Sequence, residues 1–144
     1  MTIETILNDK GVDVIAVRAD ETVKRAVEVM HHHHIGALVV VGDGTDGAML
    51  GIFTERDVIR ALAANGASIF EEILGKHMTQ RPASVNPETT VNEAMSIMTE
   101  KKFRHLPVIR DKVLCGIISI GDLVNYKIHQ TEKEAAAMRD YIRS

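Results

Sequence analysis

The sequence of this chain repeats itself, and this repetition constrains the fold more than any other feature. A shift of 68 positions aligns residues 17–41 with residues 85–109. A shift of 65 then aligns residues 51–54 with residues 116–119, because the first copy carries a longer turn. The identical pairs of the longer alignment are Val17/Val85, Thr22/Thr90, Val23/Val91, Ala26/Ala94, Met30/Met98, Leu38/Leu106 and Val40/Val108. Two copies of one supersecondary unit therefore account for most of the chain.

Each copy begins with a predicted strand and a predicted amphipathic helix. Short apolar runs at residues 14–17 and 83–85 predict the strands, and Thr22 and Thr90 are suited to cap the helices that follow. Apolar residues then recur at helical spacing, at Val23, Ala26, Val27 and Met30 and at Val91, Ala94, Met95 and Met98. This spacing predicts one buried helix face in each copy, so the methionines belong to the core.

Two further strands and a second helix complete each copy. The strands are predicted at short runs rich in valine and isoleucine, residues 37–41 and 49–53 and residues 106–109 and 113–118. The closing helices are predicted at residues 55–64 and 120–128. The order is therefore β-α-β-β-α, twice, which places the chain in the mixed α/β (α+β) class.

The predicted organisation is a first domain at residues 7–66, a linker at 67–82, a second domain at 83–129 and a C-terminal helix at 130–144. Within the linker, Ser68 is the expected cap of a short amphipathic piece at residues 69–74.

The C-terminal helix is predicted to be a separate element that begins at a capping box formed by Thr131 and Glu134. Ala135, Met138 and Ile142 fall on one side of it. Since an isolated helix of this length is marginal in water, we expect this side to pack on the body of the protein or on a second subunit.

Composition and charge exclude several classes of function. The formal net charge is −3, and no basic stripe indicates nucleic-acid binding. No apolar run approaches the roughly 20 residues that cross a bilayer, and residues 1–10 lack the features of a signal peptide. We therefore expect a cytoplasmic protein with neither nucleic-acid nor membrane partners, whose single cysteine, Cys115, is a small buried hydrophobe.

The clearest chemical pattern lies where the third strand of each copy meets the second helix. These junctions are Thr54-Glu55-Arg56-Asp57 and Ser119-Ile120-Gly121-Asp122. In both, a hydroxyl at the helix N-cap is followed three residues later by a carboxylate, beside backbone N–H groups that favour an anion. A phosphate could bind there, and the carboxylate could accept hydrogen bonds from a ribose diol. The same pattern also caps helices without binding a ligand, so both interpretations stay open.

Together with the repeat, these junctions resemble a tandem pair of CBS (cystathionine β-synthase) domains. The resemblance covers about Leu7 to Ile128, and both junctions carry it in the form Gly-Ile-Phe-Thr-Glu-Arg-Asp and Gly-Ile-Ile-Ser-Ile-Gly-Asp. Further matching stretches are Ile35-Gly36-Ala37-Leu38-Val39-Val40, Phe103-Arg104-His105-Leu106-Pro107-Val108 and Lys76-His77-Met78-Thr79. The resemblance implies two repeats packed with pseudo-twofold symmetry and adenosine nucleotides bound in the clefts between their sheets.

The resemblance also assigns roles to the hydroxyls and carboxylates of the two junctions. Asp57 and Asp122 are expected to hold the ribose diol in two equivalent sites. Thr54 and Ser119 are expected to contact the phosphate or the ribose.

The two sites are expected to differ in how they hold phosphate. The resemblance directs Arg104 and His105 toward phosphates, whereas Gly36 and Ala37, at the matching positions of the first copy, carry no such groups. Arg56 on the first helical turn is either a compensating phosphate ligand or a solvated surface residue. The residues expected to form the base pockets are Val14, Ile15, Ala83, Leu106 and Pro107.

The leading functional hypothesis is a stand-alone CBS pair that binds AMP, ATP or NAD(H) and reports energy or redox state to an unidentified partner. Homodimerisation through exposed helix faces is expected from the family. The sequence does not separate two bound mononucleotides from one dinucleotide. A ligand-free structural dimerisation module is the alternative, and a metal-dependent enzyme built on the histidine run is a third hypothesis.

Catalysis and metal binding are not expected. The run His31–His34 falls on the last turn of a predicted helix, where His31 and His34 share one face, but a closed zinc site needs four ligands. The turn Gly42–Gly47 does not lead from a strand into a helix, as a phosphate-binding loop would. No nucleophile stands beside a base in the sequence, so no catalytic residue and no catalytic cofactor are predicted.

Overall fold

The structure of the chain is a computed structural model that describes residues 1–42 and 48–143. The chain folds into two compact units. The first unit is Asp13–Ala83, and the second unit is Met1–Val12 together with Ser84–Ser144. Both units contain helices and strands, so the predicted mixed α/β class is confirmed.

The helices and strands follow most of the predicted order, but α1 and β4 are added, no strand is assigned at residues 83–85 and the last two predicted helices are one helix. The helices are α1 (Ile3–Lys10), α2 (Val23–His33), α3 (Glu55–Asn65), α4 (Val91–Lys101) and α5 (Ile120–Arg143). The strands are β1 (Ala16–Arg18), β2 (Ala37–Val41), β3 (Met49–Thr54), β4 (Thr79–Gln80), β5 (His105–Arg110) and β6 (Val113–Ser119). Most of the predicted turn Gly42–Gly47 lies outside the described residues.

In the first unit the described strands form one sheet in the order β1-β2-β3-β4. β1 runs parallel to β2, and β3 is antiparallel to both of its neighbours. The core includes Val23, Ala26 and Met30 from the predicted face of α2 and Leu38, Val40 and Phe53 from the sheet. Thr22 caps α2 as predicted, since its side chain accepts a hydrogen bond from the Arg25 backbone N–H.

In the second unit β5 and β6 form an antiparallel pair. The strand predicted at residues 83–85 is reduced to one parallel bridge between Val85 and Val108. This bridge consists of hydrogen bonds from the Val85 N–H to the Pro107 carbonyl (3.0 Å) and from the Ile109 N–H to the Val85 carbonyl (2.8 Å). The next hydrogen bonds of a parallel ladder would need the N–H of residue 107 on one side and of residue 87 on the other, and both residues are prolines, so the ladder stops at Val85.

The core of the second unit mirrors that of the first. It includes Val91, Ala94 and Met98 from α4, Leu106, Val108 and Ile118 from the strands and Leu123 from α5. α4 begins at a capping box in which the Thr90 hydroxyl accepts from the Glu93 N–H and the Glu93 carboxylate accepts from the Thr90 N–H.

Each unit is completed by a segment that precedes the other copy in the sequence. In the second unit this segment is α1: the Ile3 N–H donates to the Thr89 carbonyl (2.9 Å), and the Val91 N–H donates to the Met1 carbonyl (3.1 Å). These bonds fix α1 beside the N-terminus of α4, a helix of the second copy.

In the first unit the equivalent segment comes from the predicted linker. The Leu74 N–H donates to the Glu21 carbonyl (2.7 Å), and the Val23 N–H donates to the Glu72 carbonyl (2.9 Å) beside the N-terminus of α2. We call residues 1–10 and 72–80 the exchanged segments.

A glycine of the third strand in each copy makes room for the exchanged segment. A Cβ atom on Gly51 would lie 2.3 Å from the Thr79 carbonyl oxygen, and a Cβ atom on Gly116 would lie 2.9 Å from Cδ2 of Leu7. Both distances are shorter than real Cβ contacts, so glycine permits the close approach at both positions.

The compact units do not coincide with the two sequence repeats, whose predicted domain ranges stay a prediction. Residues 7–12 belong to the second unit, and the predicted linker at 67–82 lies within the first unit. Ser68 is not the cap of an α-helical piece: it lies inside the 3₁₀ segment Gly66–Glu71, where its hydroxyl donates to the Asn65 carbonyl (3.2 Å). A boundary drawn from the linear order of two repeats cannot reveal such an exchange.

The prediction of a separate C-terminal helix is wrong. α5 continues without interruption from Ile120 to Arg143, so Thr131 and Glu134 lie in its interior and form no cap. The stretch between the two predicted helices contains neither glycine nor proline, and nothing therefore ends the first one. Among the described residues no helix is long and apolar enough to cross a membrane.

We predict that Gly51→Ala destabilises the protein more than Gly116→Ala does. At Gly51 the new methyl group meets the backbone of β4, which can yield only by a shift of the strand, at a cost of about 1–3 kcal/mol. At Gly116 it meets only the end of the Leu7 side chain, which can rotate away. Urea denaturation of both variants measures the difference, and equal losses of stability would contradict this packing.

Candidate functional site

The two strand–helix junctions of the sequence have the same backbone geometry in the two units. Ala37 stands opposite Thr54 in the β2–β3 pair, and the Glu55 N–H donates to the Gly36 carbonyl (3.0 Å). We call the group of Gly36, Ala37, Thr54, Arg56 and Asp57 the first junction.

In the second unit His105 stands opposite Ser119 in the β5–β6 pair. The Ile120 N–H donates to the Arg104 carbonyl (2.8 Å). We call the group of Arg104, His105, Ser119 and Asp122 the second junction. Within each junction, the structure brings together residues that lie up to 21 positions apart in the sequence.

At the first junction the carboxylate of Asp57 is buried and fully engaged. The residue is 2% exposed. Its Oδ2 accepts from the Thr54 N–H (2.9 Å) and the Thr54 hydroxyl (3.2 Å), and the Asp57 N–H donates to that hydroxyl (3.3 Å). Its Oδ1 accepts from the Thr79 hydroxyl (2.9 Å) and from the Arg60 guanidinium. The capping interpretation of this motif is therefore realised in the structure, as a complete capping box.

At the second junction the carboxylate of Asp122 is more accessible. Its side chain is 23% exposed. Its Oδ2 accepts from the Ser119 N–H (2.8 Å) and from the Lys10 ammonium (2.7 Å), and the Asp122 N–H donates to the Ser119 hydroxyl (3.1 Å). Lys10 also donates to the Ile117 carbonyl (2.8 Å). The two reciprocal capping bonds are present here too, and the additional partner of the carboxylate is the ammonium of Lys10, the last residue of α1.

The charge state of Asp122 follows from these contacts. Burial raises the pKa of its carboxyl, while the hydrogen bond from Lys10, the Ser119 N–H and the charge of Lys10 lower it. The lowering effects prevail, and the pKa lies below its ordinary value. Asp122 is therefore an anion at neutral pH, ready to accept hydrogen bonds.

The junctions differ in the side chains beside these carboxylates. Arg104 is exposed and His105 is half-buried at the start of β5. Gly36 and Ala37 take the matching positions at the first junction, where Arg56 is exposed on the first turn of α3. A cation and a titratable donor thus lie at the second junction, where the carboxylate is also the more accessible.

The residues predicted to form the base pockets differ in burial. Val14 and Ile15 are half-buried just before β1, and the Ile15 carbonyl accepts from the Val39 N–H (3.0 Å). Ala83 is half-buried at the end of the first unit. Leu106 and Pro107 are buried within β5. Their role in holding a base stays a prediction.

Three residues at the junctions were missed by sequence reasoning. Arg60 lies one helical turn after Asp57, a spacing that predicts an ion pair and could have been noticed. Lys10 and Thr79 lie 112 and 22 positions from the carboxylates that they contact, and no local pattern links them.

The histidine run lies at the end of α2, as predicted. His34 is the left-handed C-cap of this helix, and the rings of His31 and His34 are 6.4 Å apart. Both line an open cavity of about 640 Å³ in the first unit, together with Glu55 and Ile59. In the part of the chain that the structure describes, no group of three or more His, Cys, Asp or Glu residues is arranged to hold a metal ion.

Cys115 differs slightly from its prediction. It is half-buried in β6 rather than buried, and its Sγ donates to the Val113 carbonyl (3.6 Å).

Both sequence repeats match the model of a known protein family. The CBS domain model matches residues 6–64 and 71–129. The chain belongs to the CBS-domain family. The mitochondrial CBS domain-containing protein CBSX3 of Arabidopsis thaliana is 38% identical over 148 residues, which cover 99% of this chain and 72% of that protein.

Solved CBS structures share the fold. A CBS-domain protein from Agrobacterium tumefaciens matches with a TM-score of 0.83 and 40% identity, over 88% of this chain and 92% of that one. The CBS domain pair of protein MJ0100, solved with 5′-methylthioadenosine and S-adenosyl-L-methionine, matches with a TM-score of 0.77 over 90% of this chain and 98% of that one. At 21% identity this second likeness concerns the fold alone.

We predict that Asp57→Ala costs more stability than Asp122→Ala. The first substitution removes a buried cap and leaves the Thr54 N–H and the Thr79 hydroxyl without their acceptor, at a cost of about 2–4 kcal/mol. The second exposes Lys10 and Ser119 to water, which can replace the lost bonds, and we expect about 1 kcal/mol. Chemical denaturation with circular dichroism measures both, and the opposite ranking would contradict the structural role given to Asp57.

Proposed function

We propose that this chain is a regulatory binding protein for an adenosine-containing nucleotide such as AMP, ATP or NAD(H), and not an enzyme. The observation that carries the proposal is the second junction, with a partly accessible, ionised Asp122 beside a capping hydroxyl, an arginine and a histidine. Membership of the CBS-domain family supports it, as does a CBS pair of the same fold that holds two adenosine compounds.

The chemistry of the second junction suits a nucleotide. A ribose diol offers two O–H donors, and an ionised carboxylate offers the acceptors that match them. The Arg104 guanidinium can bind a phosphate through two parallel N–H donors. The His105 ring can add a further N–H donor for the phosphate.

The first junction is proposed to be the weaker site. A ribose diol there has to displace Thr79 or Arg60 from a carboxylate that is almost completely buried. No cationic side chain occupies the positions of Gly36 and Ala37, and Arg56 is the remaining phosphate ligand. Two unequal affinities, or a single bound nucleotide, are the expected result.

The regulatory mechanism that we propose is thermodynamic linkage. A nucleotide that binds one conformation better than another shifts the population toward it, and a partner that recognises this conformation gains affinity by the same coupling free energy. The partner is unidentified. The Arabidopsis relative is named as a mitochondrial protein, and the cytoplasmic location expected from the sequence stays a prediction.

We also propose that the chain forms a homodimer through α5. Val124, Ile128, Met138 and Ile142 are exposed on this helix, between 41% and 73%. Thr131 and Ala135 fall between them on the same stripe. The six positions, 124, 128, 131, 135, 138 and 142, alternate in spacing between four and three residues, which is the repeat of a coiled-coil seam. A second copy presents the same stripe and is therefore a self-complementary partner.

We predict that AMP, ATP and NAD(H) raise the melting temperature of the protein and that GTP does not. A ligand that binds only the folded state at 100 times its Kd adds about 2.7 kcal/mol, which is several degrees for a chain of this length. Asp122→Ala should reduce the shift, while Asp140→Ala, a carboxylate removed from the exposed far end of α5, should leave it unchanged. Differential scanning fluorimetry measures all of these.

The same panel distinguishes the alternative function. If no adenine compound changes the melting temperature at millimolar concentration, the chain is better described as a ligand-free dimerisation module. If adenine compounds do raise the melting temperature, calorimetric stoichiometry separates two mononucleotides per chain from one dinucleotide.

We predict that Met138→Lys converts the dimer into a monomer, because it buries a charge in the proposed seam. Ala137→Lys adds the same charge to the same helix one position off the stripe and should leave the dimer intact. Light scattering coupled to size-exclusion chromatography measures the mass, and a wild-type monomer at micromolar concentration would contradict the interface.

A further inference from the structure

The Lys10 ammonium donates to Asp122, the carboxylate that we proposed as the acceptor of a ribose diol. Its ammonium lies 2.7 Å from Asp122 Oδ2 and 2.8 Å from the Ile117 carbonyl oxygen. Oδ2 accepts from the Ser119 N–H as well. Oδ2 is thus already engaged twice, and a ribose diol that binds both oxygens of the carboxylate competes with Lys10 for Oδ2.

The lysine is a weakly held competitor. Its side chain is 37% exposed, and an ion pair that is this accessible to water contributes little net stability. A ribose diol can therefore displace it at modest cost, whereas the buried Asp57 of the first junction is held by a hydroxyl and an arginine.

Lys10 is also the last residue of an exchanged segment. The start of α1 is anchored by the buried Ile3, Ile6 and Leu7 and by the contact of Glu4 with Arg110 (3.4 Å). At the other end of this helix, the Lys10 ammonium donates both to Asp122 and to the Ile117 carbonyl. Displacement of the ammonium from both acceptors would release the end of α1 without detaching the beginning.

We propose that Lys10 is an affinity-setting residue of the second junction: a nucleoside diol takes its place at Asp122 and thereby releases the C-terminal end of α1. This inference rests on the proposed nucleotide-binding function and adds to it the structural element that responds. Nucleotide binding at Asp122 would in this way loosen the C-terminal end of α1, in the exchanged segment of residues 1–10.

The test is a calorimetric titration of the full chain with adenosine, which has the diol but no phosphate. In Lys10→Met the competing ammonium is gone and the apolar stem remains, and the Kd for adenosine should fall about fivefold, or about 1 kcal/mol at 1.4 kcal/mol per factor of ten. Lys133→Met removes the same charge from the exposed part of α5 and should leave the Kd unchanged.

A second ligand separates competition for the diol from a general effect of charge. For 2′,3′-dideoxyadenosine, which has no hydroxyl to place at Asp122, the Kd should be the same in wild type and Lys10→Met. The expected readout within the wild type is faster amide hydrogen exchange at residues 8–11 when adenosine is bound.

The outcomes distinguish this inference from the function on which it rests. If the wild type binds adenosine and Lys10→Met binds it equally or more weakly, Lys10 is not a competitor and the inference is wrong, while nucleotide binding stands. Slower exchange at residues 8–11 with adenosine bound also overturns it. If neither protein binds any adenine compound, both proposals fail together.

Discussion

The exchange of segments between the repeats is the constraint on which the rest of this structure depends. Neither copy of the β-α-β-β-α unit is finished by its own preceding residues. Each is closed by backbone hydrogen bonds from the exchanged segment to the N-terminus of its first helix. The glycine of the third strand lets that segment approach closely. Because the same segments supply Lys10 and Thr79, the closure of each unit and the environment of its carboxylate have one structural origin.

Much of the fold could be predicted because it depends on local pattern. The repeat located equivalent elements, the helical spacing of Val23, Ala26 and Met30 identified a buried face, and Thr22 and Thr90 were correctly assigned as caps. What could not be predicted depends on distant contacts. α1 is a helix of eight residues whose first N–H groups donate to residues more than 80 positions away. The uninterrupted α5 shows that a local pattern can also mislead. The capping-box sequence of Thr131 and Glu134 does not start a new helix, because nothing ends the helix that precedes it.

At the candidate site the sequence identified the motif but not its two different environments. Thr54 with Asp57 and Ser119 with Asp122 share the same spacing, and both form the cap that this spacing predicts. In the structure the two carboxylates differ in burial and in the further groups that contact them. Thr79 and Arg60 donate to Asp57, and Lys10 donates to Asp122. A duplicated motif thus need not carry duplicated chemistry, because tertiary neighbours decide how accessible each copy is.

The length of α5 has a mechanical consequence. The helix begins beside Asp122 and continues for 24 residues, so at 1.5 Å per residue it is a rod about 36 Å long. Over that length, a tilt of about 5° at the Asp122 end moves the opposite end by about 3 Å. A small change in the helix angle beside the carboxylate therefore moves the far end of α5 by a distance comparable with the size of a methyl group.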